Sequence, residues 1–195
     1  MLRILCFALC VSQRDRERQS LTVSGIVARG PIFRVAVDME LDLKRSPEDL
    51  RSLFYDLKTK HDVADLLEIN KKTLIYYLYR KSPETQYTQY RIKKRHGGTR
   101  KILAPETPLK ILQHKLNCVL QIVYKPKAPV HGFVTKRSIL TNAQVHAGKR
   151  FVLNVDLRNF FPSINFGRVR GVFIAPPYNL DPAAATILAQ ICCVD

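Results

Sequence analysis

Apolar residues recur at intervals of three and four from Leu50 onward, and that spacing predicts a series of short helices. Leu50, Leu53, Phe54 and Leu57 share one helical face. Ser46-Pro47-Glu48-Asp49 just ahead supplies a capping hydroxyl, a proline at the first helical position and acids in the first turn. Val63, Leu66 and Leu67 mark a second face, and Leu74, Tyr77 and Leu78 a third, with Glu68-Ile69-Asn70 between them. Two helices joined by so short a turn suit a plain scaffold or a DNA-reading helix–turn–helix.

The period changes at Tyr87. Tyr87–Lys93 and residues 100–103 read as strands, and Gly97-Gly98 between them supplies the positive φ angles of a tight hairpin. Pro105 closes the second strand. Leu109, Leu112, Leu116 and Leu120 then predict a helix over Thr107–Val123, and Pro126 and Pro129 punctuate its exit. A loop opens at His131-Gly132-Phe133, a short helix is expected over 138–146, and 151–155 is an apolar strand ending at Asp156. Helices over 166–173 and 182–193 complete the pattern, which is α+β. Residues 1–40 have no convincing period, so 1–45 is expected to be a disordered leader or foreign to the native start. The expected divisions are 1–45, a helical region over 46–85, a mixed region over 86–150 and a final unit over 151–195.

Charge narrows the choice of partner. The chain carries 32 Lys and Arg against 16 Asp and Glu, a net charge of +16. Residues 86–150 hold fourteen of the cations and a single acid, Glu106, giving +13. A one-sided excess of that size suits a polyanion, nucleic acid before an anionic membrane surface, although basic residues scattered round a soluble domain would give the same count. No stretch approaches the eighteen apolar residues of a membrane span. The five cysteines form no C-x-x-C pair and no zinc spacing, which fits a reduced cytoplasmic protein. The start, MLRILCFALCVS, has too short an apolar run and the wrong flank for an export signal.

Three segments carry candidate chemistry. In FVLNVDLRNFFPSI the carboxylate of Asp156 follows a buried strand and precedes Leu157, Phe160 and Phe161. An ionised carboxylate in apolar company needs compensation, by a divalent cation or by capping the next helix. In the hairpin, Lys94 and Arg100 flank the Gly-Gly turn and can point to one side, a fork able to grip a triphosphate, though any basic surface hairpin looks alike. In HGFVTKRSILTNAQVH, Lys136 and Arg137 precede a helical turn whose free N–H groups favour phosphate.

These segments together resemble bacterial retron-type reverse transcriptases, relatives of group II intron enzymes. The blocks are K-K-x-x-G-G-x-R-x-I-x-A-P with L-K-x-x-Q, then H-G-F-x-x-x-x-S-I-x-x-N-A-x-x-H, then V-D-L-x-x-F-F-P-S-I, in family order from about Ser46 to Asp195. The resemblance implies the fingers and first palm segment of a right-hand polymerase fold. It implies Asp156 as a catalytic, metal-binding aspartate with the Leu157 backbone beside it, and Phe161 as the aromatic gate against a ribose 2′-hydroxyl. Lys94 and Arg100 would hold the incoming triphosphate. Lys93, Arg95, Lys101, Lys136, Arg137, Asn142 and His146 would face nucleic acid, and Gln113 would lie near the template or inside the fingers. The implied activity is RNA-directed DNA synthesis with Mg²⁺ and dNTPs on a structured non-coding RNA that serves as template and primer. A DNA product, a role in defence against phage and an accessory defence protein are implied as well.

One departure is large: no Tyr-x-Asp-Asp turn occurs in the chain. The expectation is therefore an incomplete, inactive piece of such an enzyme. Two rivals stay open. A non-catalytic nucleic-acid-binding module would lack that turn altogether, and a group II intron maturase would carry maturase blocks downstream.

Overall fold

The computed structural model describes residues 42–94, 97–134, 136–158 and 160–194. The expected leader falls outside the described residues except for 42–45, and these belong to the fold. The Lys44 and Arg45 backbone N–H groups donate to the Glu68 carboxylate at 2.8 and 3.0 Å, and the Arg45 guanidinium forks onto Asp65.

Helix α1 (Pro47–Tyr55) starts as its capping signal predicts, with Asp49 N–H donating to Ser46 Oγ. Helix α2 (Lys60–Leu66) opens on a capping box between Thr59 and Asp62, and α3 (Lys71–Ile75) opens on Asn70. Helix α3 runs into a π-turn at Tyr76–Arg80, and the single turn α4 (Pro83–Gln86) leads into the hairpin. Strands β1 (Tyr87–Lys93) and β2 (Thr99–Pro105) pair antiparallel, Tyr87 opposite Pro105 and Lys93 opposite Thr99. Gly97 and Gly98 turn the chain at φ of 89° and 77°, where a Cβ would be strained. Helix α5 (Thr107–Val123) follows, then α6 (Ile139–His146), a 3₁₀ turn at Phe161–Ser163, α7 (Phe166–Ile174) and α8 (Pro182–Cys192).

The core is helical, and it joins segments far apart in sequence. Leu112, Leu116, Val119 and Leu120 of α5 are buried together with Leu50 and Phe54 of α1. Helix α8, with Ala184, Ala185, Leu188 and Ile191 buried, packs on α2, α5 and α7. One core therefore crosses the boundaries drawn at residues 86 and 151. The second and third helices bury Val63, Leu66, Leu67, Leu74 and Tyr77 in that core, as a scaffold pair does.

The segment 151–155 departs from expectation. It forms no strand, and Phe151, Leu153 and Val155 are 82 %, 87 % and 76 % exposed. A strand requires a partner for its N–H and C=O groups, and the only ladder among the described residues is β1–β2. The apolar side chains of the segment thus lie open to solvent. Leu157 after the segment and Ile139, Leu140 and Val145 of α6 before it are exposed as well, whereas α7 and α8 bury Val169, Phe173, Leu188 and Ile191.

The capping box makes a stability test with a defined sign. Lys58 and Thr59 N–H donate to Asp62 at 3.0 and 2.7 Å and hold its carboxyl below the usual carboxylate range, and the Arg45 bond does the same for Asp65. A depressed folded pKa stabilises above about pH 4 and the benefit fades as pH falls through the folded value. Thr59→Ala should cost about 1 kcal/mol at neutral pH. Asp62→Asn should flatten the loss of stability between neutral and acid pH, read by chemical denaturation.

Candidate nucleic-acid and nucleotide interface

The hairpin is rooted in the core by two glutamines. Gln86 Nε2 donates to the Tyr77 and Lys81 carbonyls at 2.8 and 2.9 Å. Gln113, buried in α5, donates to Tyr87 Oη and to the Ile191 carbonyl, both at 3.1 Å, tying β1 to α8. Gln113 therefore sits in the interior and not on an exposed surface. Lys81 reaches Glu106 at 2.6 Å, so the lone acid of the basic stretch already has a partner.

Beyond this root the two strands stand out from the body, exposed from Thr88 through Lys101 apart from the undescribed turn residues. Arg95 lies outside the described residues. Lys94 N–H donates to the Gly98 carbonyl and Gly97 N–H to the Lys94 carbonyl, so the turn continues the register one step past Lys93. Arg100 stands opposite Ile92. Strand alternation then places Lys94, Ile92 and Arg100 on one side and Lys93, Arg91 and Lys101 on the other. The expected fork of Lys94 and Arg100 fits this register. Arg91 was counted among the fourteen cations but not among the expected site residues, and the alternation Arg91-x-Lys93 is the signal that would have found it.

The second basic element is built differently from expectation. Arg137 Nη1 donates to the carbonyls of Lys127 and Ala128 at 2.8 and 3.0 Å, and to that of Val130. Its guanidinium staples the turn that follows α5. The first turn of α6 is already capped: Thr141 N–H donates to Ser138 Oγ, and Ser138 N–H donates to Thr141 Oγ1. Phosphate would have to compete with that capping box for the helix N–H groups. His131 Nδ1 also shares a 3.0 Å hydrogen bond with the Thr141 hydroxyl. Lys136, at φ 66°, Asn142 and His146 are exposed, the last two four residues apart and so on one face of α6.

Asp156 is exposed, and no hydrogen bond or ion pair among the described residues engages its carboxylate. The Leu157 carbonyl accepts from Phe160 N–H at 3.3 Å, which starts the turn that carries Phe161. Phe161 is half-buried, edge-on to Phe160 at 5.5 Å between ring centroids. An unpartnered carboxylate can serve as one ligand of a divalent cation. Among the described residues no group of three His, Cys, Asp or Glu side chains is placed to hold a metal, so Asp156 alone does not make a two-metal site. Two surface cavities of about 320 and 330 Å³ lie elsewhere, one on α1 and one beside the π-turn, where Lys81 and Gln86 line it, and neither is lined by Asp156, Leu157, Phe160 or Phe161. No helix among the described residues is long and apolar enough to cross a membrane.

Comparison with known proteins finds reverse transcriptases of bacterial retrons among the curated relatives. The chain is 38% identical over 146 residues to the retron Mx65 reverse transcriptase of Myxococcus xanthus, covering 72% of this chain and 34% of that protein. It is 37% identical over 123 residues to the retron Mx162 reverse transcriptase of the same organism, 60% of this chain and 24% of the other. It is 34% identical over 136 residues to the retron Ec86 reverse transcriptase of Escherichia coli, 68% of this chain and 41% of the other. The chain thus spans between a quarter and about two fifths of the length of these curated relatives. No family model and no solved structure matches it.

Proposed function

We propose that this chain is part of a retron-type, RNA-directed DNA polymerase that copies a structured RNA into DNA with divalent metal, Mg²⁺ by preference. The observation that carries the reading is the 38% identity over 146 residues to a retron reverse transcriptase. Three chemically sensible blocks, the basic hairpin, the His131–His146 element and the Asp156–Ile164 segment, support it in the same order.

Lys94 and Arg100 grip the triphosphate, Arg100 by its planar fork and Lys94 as a point charge. Asp156 offers a charged carboxylate to the catalytic cation, and the Leu157 backbone lies beside it. When bound, that cation would neutralise developing charge on the phosphates. Lys93, Lys101, Lys136, Asn142 and His146 face the template and primer strands. Arg137 acts on them indirectly, by fixing the loop that carries Lys136. A defence role with an accessory protein, in the cytoplasm, extends the reading. The fingers and first palm segment of a right-hand polymerase are the fold parts it assigns to 86–150 and 151–195.

The experiment is to read the gene past the codon for Asp195. A Tyr-x-Asp-Asp turn in frame supports the polymerase, and a long frame without one overturns it in favour of a binding module.

The Phe161 ring closes the space that a ribose 2′-hydroxyl needs. In a reverse transcriptase carrying this segment, Phe161→Val should relax discrimination against ribonucleotides by at least about tenfold, on the scale of pocket changes of a few methylenes. Primer extension with NTPs in place of dNTPs reads the effect. Unchanged exclusion of NTPs would remove the gate from Phe161.

A further inference from the structure

The hairpin carries two rows of cations on opposite faces, and the rows differ in shape. On one face Lys94 and Arg100 cluster at the Gly-Gly tip beside apolar Ile92, Tyr90 and Ile102. On the other, Arg91 stands directly opposite Lys101, with Lys93 one pleat further toward the tip. Like charges directly opposite one another weaken a ladder, and an isolated two-stranded ladder is marginal to begin with. No carboxylate occurs between Gln86 and Pro105 to offset them. Glu106, the next acid, is held by Lys81. Among the described residues Arg91, Lys93 and Lys101 are exposed and make no ion pair.

From this we infer that the face bearing Arg91, Lys93 and Lys101 is a separate docking strip for the phosphodiester backbone of a nucleic-acid strand, distinct from the triphosphate fork on the opposite face. Residues two apart on a strand lie about 6.8 Å apart, and cross-strand partners about 5 Å. Three cations at those spacings form a strip and not a point, which suits a run of phosphates better than one nucleotide. Tyr87, which shares this face at its base, bonds Gln113, so the strip is continuous with the anchored root of the hairpin. The inference rests on the proposed polymerase reading and divides its basic surface into two sites.

The test uses the 195-residue chain and fluorescently labelled single-stranded RNA and DNA of one sequence. Arg91→Gln with Lys101→Gln should weaken binding to both strands about tenfold and lower the salt slope by about 1 to 2, one contact per cation removed. Lys94→Gln with Arg100→Gln should leave binding within about threefold if the faces are separate. Arg91→Lys, which keeps the charge, should restore affinity, and thermal melts of each variant check that the core is intact. Equal losses from both pairs, or an unchanged slope after Arg91→Gln with Lys101→Gln, overturn the division of faces while leaving the polymerase reading standing. Absence of any RNA binding by the unaltered chain would count against the polymerase reading itself.

Discussion

Raising monovalent salt from about 50 to 200 mM should weaken RNA binding by this chain roughly 10²- to 10³-fold. The hairpin offers five exposed cations, Arg91, Lys93, Lys94, Arg100 and Lys101, and Lys136 and Lys149 add two from the segment that follows. With Lys94 and Arg100 kept for the triphosphate, the other five can meet phosphates, and the released counterions set a slope of about −3.5 to −4.5 in log–log form. Buried or bonded cations should not contribute. Lys115 is 1 % exposed with its ammonium at the Glu68 carbonyl, and Arg137 is committed to backbone carbonyls. Arg137→Gln should therefore act by loosening the 127–146 segment, with a smaller change in slope than its charge would suggest. Fluorescence anisotropy across a salt series measures both. A slope near zero would show that the basic stretch is not the binding surface.

Some of the fold could be read from local pattern because local forces determine it. The hairpin was legible from alternation and from Gly97-Gly98, whose φ values of 89° and 77° only glycine adopts without strain. Helix α5 was legible because its leucines repeat at three and four, and its bounds agree at both ends. The helix expected over 138–146 is present as Ile139–His146, and the structure adds Ser138 as its cap. The segment at 151–155 was not, since β-branched and aromatic composition gives a tendency to extend, whereas a strand needs a partner supplied from elsewhere. Nor could local pattern show that α8 seals the helical core against α2 and α5, which is a matter of long-range packing.

The candidate site was legible unevenly for a similar reason. Composition locates a basic region but cannot separate a guanidinium facing solvent from one facing carbonyls, and Arg137 is the second kind. Nor does it tell a surface amide from an interior one, and Gln113 proves to be the buried tie between β1 and α8. Alternation along β1 and β2 does sort the hairpin cations by face, once the register is known.

The second large effect concerns Asp156. In a reverse transcriptase that carries this segment together with a Tyr-x-Asp-Asp turn, Asp156→Asn should reduce DNA synthesis by roughly 10³-fold or more, about 4 kcal/mol of transition-state stabilisation. The amide preserves size, so the fold should be unaffected: the carboxylate is exposed and makes no bond among the described residues whose loss would matter. What changes is charge and the second acceptor oxygen, the two properties a hard divalent cation requires. Phe161→Val in the same enzyme should retain DNA synthesis while admitting ribonucleotides, which separates loss of chemistry from loss of selectivity.

The most direct measurement is primer extension on an RNA template, with dNTPs and Mg²⁺, comparing Asp156 with Asp156→Asn at equal RNA affinity. The polymerase reading predicts near-complete loss of extended product with RNA binding unchanged. Undiminished extension by the Asp156→Asn enzyme would contradict the assignment of this segment to the polymerase centre.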